Sequence, residues 1–204
     1  MGLRIATNVS ALNTQKNLGM NKLSLDRSME RLSSGFRINR AADDAAGLAI
    51  SENLRAQIRG LRQADRNAND GISLVHVAEG SLNEVSAMLI RLRELAVQAS
   101  SDTVGDTERK FTDVEYQQLK SEIQRITEST SFNGYDLLNG TGGVIDIQVG
   151  VKNDAFKDRI SFNSSAANAS LEALGLTVES VATKESAQMS LDVVDNALVS
   201  INAI

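Results

Sequence analysis

Few residues in this chain have the types and spacing for chemistry. The run Asp65-Arg66-Asn67-Ala68-Asn69-Asp70-Gly71 spaces carboxylate and amide oxygens as a calcium loop does. Such a loop needs glycine at its sixth position for the sharp turn and a bidentate glutamate at its twelfth. Asp70 and His76 occupy those places, so the segment reads as helix. His76 is the only histidine and there is no cysteine, which leaves no ligand set for zinc and no triad. Arg55, Arg59, Arg62 and Arg66 follow spacings of four, three and four, a basic stripe along one helix face. The formal net charge is -5 and no aromatic rings interleave, so nucleic acid is a poor partner. The stripe suits interhelical or intersubunit ion pairs. Triplets at Asn8, Asn139, Asn163 and Asn168 match the glycosylation pattern, which is short and frequent by chance. No Gly-rich phosphate loop, Ser/His/Asp set or paired carboxylates stand out. The reading is a non-enzyme with no metal and no cofactor.

What could position such residues is a set of long helices. Aromatic residues make up 3% of the 204, too few to fill a thick globular core, whereas seams between helices need only Leu, Ile, Val and Ala. Proline is absent, so nothing must break a helix. Leu18, Leu25, Met29, Leu32 and Phe36 keep an a/d-like spacing, with Ile5, Val9 and Leu12 as a weaker strip upstream. Gly35 ends that helix, and Asp43 and Asp44 offer N-caps for the next. Leu54, Leu61, Ala68, Val75, Leu82, Leu89 and Ala96 then recur every seven residues. Ile58, Ile72, Val85 and Leu92 form a companion row whose offset drifts. A helix over 45–100 would be roughly 80 Å long.

Tyr116, Leu119, Ile123 and Ile126 mark a third helix over 108–129, and the short connection folds it back antiparallel. Val144 to Val149 alternates apolar and polar, with Arg159 to Phe162 as partner, a hairpin over 143–163. Leu191, Val194, Leu198 and Ile201 open a last helix over 185–204. Its register is unbroken at Ile204 and no cap follows, which predicts that the native chain continues. The expected fold class is mainly α: a long antiparallel helical bundle or coiled-coil-like rod with a small β-hairpin region. The expected seam joins Leu54, Leu61, Val75, Leu82, Leu89 and Leu92 to Leu119 and Ile123, and to Leu191, Val194 and Leu198. No apolar run reaches the ~18 residues of a membrane span, and the first residues lack the pattern of a cleaved signal peptide.

Several blocks are similar to one family. Leu32-Ser33-Ser34-Gly35-Phe36-Arg37-Ile38-Asn39 and Asp43-Asp44-Ala45-Ala46-Gly47 resemble the connector of the bacterial flagellins. Arg66 to Ser73, Glu79 to Glu84, Arg91-Leu92-Arg93-Glu94-Leu95-Ala96-Val97-Gln98 and Phe132-Asn133-Gly134 follow in that family's order. The resemblance implies an inner-tube helix and connector in 1–42, with Gly35, Arg37, Asn39, Asp43 and Asp44 in the connector, and an outer-tube core in 43–204. It implies a helical homopolymer in the extracellular flagellar filament, or a periplasmic flagellum in some bacteria. Export through the flagellar type III channel, with an export chaperone and junction and cap proteins as partners, belongs to the same expectation. So does recognition by the host's flagellin-sensing Toll-like receptor through Arg91, Leu95 and Glu122, the helix register placing Glu122 opposite the other two.

Two departures from the family pattern stand out. Only Ala166 to Lys184 fills the place of the surface domain, and the family's remaining C-terminal helix is absent after Ile204, so a C-terminally truncated chain is expected. The rival within the superfamily is a hook-filament junction protein; the Arg91 to Gln98 and Asn67 to Ser73 blocks favour flagellin. A cytosolic helical signalling module would carry its apolar rows symmetrically through a helical tip. Here a polar loop over 100–106 and a strand pair interrupt them.

Overall fold

A computed structural model describes residues 8–204, so Ile5 lies outside the described residues. In chain order the elements are α1 (Val9–Ser34), α2 (Ala45–Ala99), α3 (Asp106–Ser129), β1 (Ser131–Phe132), β2 (Tyr135–Asp136), β3 (Val144–Gln148), β4 (Arg159–Asn163) and α4 (Lys184–Ala203). The chain divides into two units, one up to Arg59 and the other Gly60–Ile204. That boundary falls within α2, while the sequence blocks place one at 42–43.

In the first unit, α1 starts where the Asn8 side chain accepts a hydrogen bond from the Ala11 amide at 3.2 Å. It stops at Gly35, whose φ of 72° is the left-handed C-cap conformation that glycine adopts without strain. The Gly35 amide donates back to the Arg31 carbonyl at 2.9 Å. Asp44 caps the start of α2 by accepting from the Gly47 amide at 2.8 Å.

The second unit is a three-helix core with a hairpin laid against it. Side chains fix the helix directions. Ser81 and Thr130 hydroxyls meet at 3.0 Å, and Arg109 Nε donates to the Ala99 carbonyl at 2.9 Å, so α3 runs antiparallel to α2. Arg93 pairs with Asp195 at 2.6 Å and Asp102 with Lys184 at 2.7 Å, so α4 is antiparallel to α2 as well. Val85, Leu89, Leu92, Leu95, Tyr116, Ile123 and Val194 are buried between the three helices. Leu82, Leu119, Leu191 and Leu198 pack partly buried around them.

The seam differs from its expected course. Leu54, Leu61 and Val75 are 46–54% exposed within the chain. The buried seven-residue row is instead Ala64, Gly71, Ala78, Val85, Leu92 and Ala99, displaced by three positions. Three residues turn the helix by roughly 300°, so the two rows lie roughly 60° apart on its surface and only one of them faces the core. The row drawn through leucines enters the core only at Leu89 and Ala96. The row that faces inward earlier is made of small residues, because a sheet lies there and not another helix.

That sheet is the β3–β4 hairpin, antiparallel with Ile147 opposite Ile160 and Gln148 opposite Arg159. It sits so close to α2 that a Cβ on Gly71 would lie 2.7 Å from Ile147 Cδ1. The Asn67 side-chain amide donates to the Gln148 carbonyl at 2.9 Å and fixes the hairpin at that height. Two features escaped the sequence. Asn133, at φ 51°, and Gly134, at φ 83°, form a tight turn between β1 and β2, two short strands that no alternation in the sequence announces. The segment between β4 and α4, which shows no periodic pattern, buries Ala167, Ala169, Leu174, Leu176 and Val181 in the core.

Candidate assembly surface

The apolar row of α1 has no partner among the described residues. No residue of α1 is buried, and Leu18, Leu25, Met29 and Leu32 are 59–80% exposed. Fully covering such side chains stabilises by roughly 1.5–3 kcal/mol each. A helix that leaves a continuous row of them in water is built to be covered. The connector is held by ion pairs: Arg40 with Glu30 at 2.9 Å and Arg31 with Asp43 at 3.9 Å. The Glu30 carboxylate raises the Arg40 pKa above its ordinary value. Asn39 buries its side-chain nitrogen without a hydrogen-bond partner. The Arg55 guanidinium stacks 3.8 Å from the Phe36 ring and pairs with Glu52 at 2.6 Å, so the first arginine of the basic stripe is used locally.

On the second unit, Arg91 bridges Glu94 on its own helix at 2.9 Å and Glu115 on α3 at 2.8 Å. Those hydrogen bonds raise its pKa. Leu95 is 2% exposed, part of the core beneath the pair. Glu122 pairs with Arg125 one turn on, and that contact lowers its pKa. The expected register of Glu122 opposite Arg91 is therefore corrected: α3 runs antiparallel from Arg109 beside Ala99, and the carboxylate it brings to Arg91 is Glu115. Ile90, Val97, Phe111 and Val114 leave apolar side chains exposed on the same two helices.

Buried polar groups hold the loops. Arg109 is buried and donates to the Ala99 and Ser101 carbonyls, both at 2.9 Å, closing the C-terminal end of α2. Lys120, pushed down in pKa by burial, donates to the Glu179 carbonyl at 2.7 Å and the Thr177 carbonyl at 3.2 Å. Asp113 accepts from the Val181 amide and the Ser180 hydroxyl, both at 2.8 Å. Together they fasten the segment between β4 and α4 along α3. Nothing in the sequence marked these residues, since each is a polar residue on a helix face that looks solvated.

The residues that resembled a calcium loop are continuous helix, with side chains pointing around the axis and Asn67 spent on the hairpin. Among the described residues no group of three His, Cys, Asp or Glu side chains is placed to hold a metal ion. Among them, too, no helix is long and apolar enough to cross a membrane. His76 is exposed, 3.6 Å from Glu79. Fold and surface define a helical protein whose largest unsatisfied feature is apolar surface, not a reactive cleft.

Comparison with known proteins agrees. Residues 5–142 match the family described as the bacterial flagellin N-terminal helical region. A flagellin of Halalkalibacterium halodurans is 44% identical over 195 residues, 96% of this chain and 71% of that protein. Polar flagellin C of Vibrio parahaemolyticus is 49% identical over 150 residues, 74% of this chain but 39% of its own length. Among solved structures, a Bacillus cereus flagellin superposes with a TM-score of 0.59 at 31% identity, covering 68% of this chain and 77% of that one. A putative flagellar hook-associated protein from Vibrio parahaemolyticus superposes with a TM-score of 0.60 at 17% identity, covering 80% and 85%, a likeness of fold alone. The chain belongs to the flagellin family, a family of structural proteins of the bacterial flagellar filament and not of enzymes.

Proposed function

We propose that this chain is a subunit that polymerises with copies of itself into the extracellular flagellar filament and so serves motility. The observation that carries the reading is the bare apolar row of α1, together with exposed Leu54 and Ile58 in the part of α2 that belongs to the same unit. In a helical homopolymer each subunit meets its neighbours through different patches, so one chain can leave several such rows open and cover all of them on assembly. The connector residues Gly35, Arg37, Asn39, Asp43 and Asp44 then set the path of the chain from inner-tube to outer-tube helix, within a 1–42 and 43–204 organisation. Passage through the flagellar type III channel, with an export chaperone and junction and cap proteins as partners, belongs to the same reading.

Recognition by the flagellin-sensing Toll-like receptor is a second part of it. Arg91 is its exposed anchor. The carboxylate paired with it across the helices, Glu115, is better placed to share a footprint than Glu122, and buried Leu95 supports the surface from beneath. Arg91→Ala is expected to weaken receptor activation; full signalling by that variant removes Arg91 from the footprint.

Electron microscopy of a null mutant tests the filament role. Cells left with hooks but no filaments support it. Intact filament protein shed into the medium, with only the junction lost, assigns the chain to the hook-filament junction instead.

A further inference from the structure

An apolar groove lies between α2 and the β3–β4 hairpin, lined by Ile72, Val75 and His76 on the helix and Ile147, Val149 and Ile160 on the strand side. Its volume is about 310 Å³, enough to admit a phenyl ring. The spacing of its walls is fixed by the close approach of Ile147 to Gly71 and by the Asn67 bond to Gln148. Ile72, Val75 and Ile160 are left 46–57% exposed along it.

The same unit carries a side chain of matching character. Phe156 stands in the turn joining β3 to β4 and is 92% exposed. The turn that presents it is ordered. The amides of Phe156 and Lys157 both donate to Asp154 Oδ1, at 3.0 and 3.2 Å. The Asp154 amide donates to Asp158 Oδ2 at 3.0 Å, and the Asp158 amide to the Asp154 carbonyl at 2.9 Å. An ordered turn that holds an aromatic ring in water loses little further freedom when the ring is buried. Its exposure also shows that Phe156 does not fill the groove of its own chain. Charge agrees with an exchange between copies. Lys157 beside the ring is exposed, with its nearest carboxylate, Asp154, at 3.9 Å. Glu79, one turn from His76 on the helix wall, is exposed and within reach of it.

Resting on the filament reading, we propose that Phe156 of one copy seats in the α2–hairpin groove of a second copy, with Lys157 alongside Glu79. Knob and groove are different patches, so the contact is heterologous and repeats into an open array without closing on a two-fold axis.

The chain has no cysteine, so engineered disulfides can report the contact. Chains carrying Phe156→Cys and chains carrying Val75→Cys are mixed into an excess of unaltered chain, assembled, sedimented and oxidised. A disulfide-linked dimer in the pellet, absent when either variant is used alone, is the expected result. Phe156→Ala is expected to raise the protein concentration needed for assembly about tenfold, as loss of an aromatic anchor does. A pellet without the mixed dimer, or an assembly threshold unmoved by Phe156→Ala, overturns the inference and leaves the filament reading standing. A chain carrying both substitutions that cross-links only within itself also overturns it. No pellet from the unaltered chain overturns both.

Discussion

Tyr116 is the residue whose burial has the clearest measurable consequence. Its side chain is fully buried, and burial pushes its pKa up to about 12 against a smaller downward pull from the Ser190 hydroxyl. In the unfolded chain a tyrosine releases its proton near the ordinary value of 10.0. Between those pH values the unfolded state binds fewer protons than the folded one, so stability falls as pH rises. Tyr116→Phe removes that loss and leaves no polar atom to bury. Thermal melts should coincide within about 1 kcal/mol at pH 7, with the variant ahead by about 2 kcal/mol near pH 12. Equal alkaline destabilisation of both proteins would show that the hydroxyl is solvated. At this scale the sequence was partly legible. Arg91 stood in a recognisable block, but its partner Glu115 did not, because a pairing across helices depends on a register that the loop after α2 decides. Arg109, Lys120 and Asp113 were illegible for the same reason: their partners are backbone groups of segments with no periodic pattern.

At the scale of elements, the existence and type of the four helices and the β3–β4 hairpin were readable from period alone. The facing of α2 was not. A seven-residue row of leucines looks like a seam, yet Ala64, Gly71 and Ala78 mark where another element comes closest, and small residues carry no hydrophobic signal. Two glycines in α2 separate the ideas. A Cβ added at Gly80 would meet nothing within 4 Å, so Gly80→Ala should stabilise by roughly 0.5–1 kcal/mol through helix propensity. Gly71→Leu forces the helix against Ile147 and should destabilise by about 1–3 kcal/mol. Urea unfolding of both variants checks the pair, and equal effects would mean that the hairpin is not seated on Gly71. Leu89→Asp, with a carboxylate at a fully buried position, should cost several kcal/mol and lower the melting temperature of the chain. Leu61→Asp should leave the melt of the isolated chain nearly unchanged and act on assembly instead, because that side chain is open. Matching losses of stability in the two variants would contradict the corrected seam.

At the scale of the whole molecule, assembly depends on surface that a lone chain leaves uncovered. Composition and heptads reach as far as a long-helix assembly protein; the ordered sequence blocks and the family match supply the flagellar setting. The most direct measurement is immunogold electron microscopy of sheared flagella, using antibody raised against residues 143–163, the β3–β4 hairpin. Label spaced along the full length of every filament, and lost in the null mutant, is the predicted result. Label confined to the hook end of filaments, or filaments that carry none, would contradict the claim that this chain is what the filament is built from.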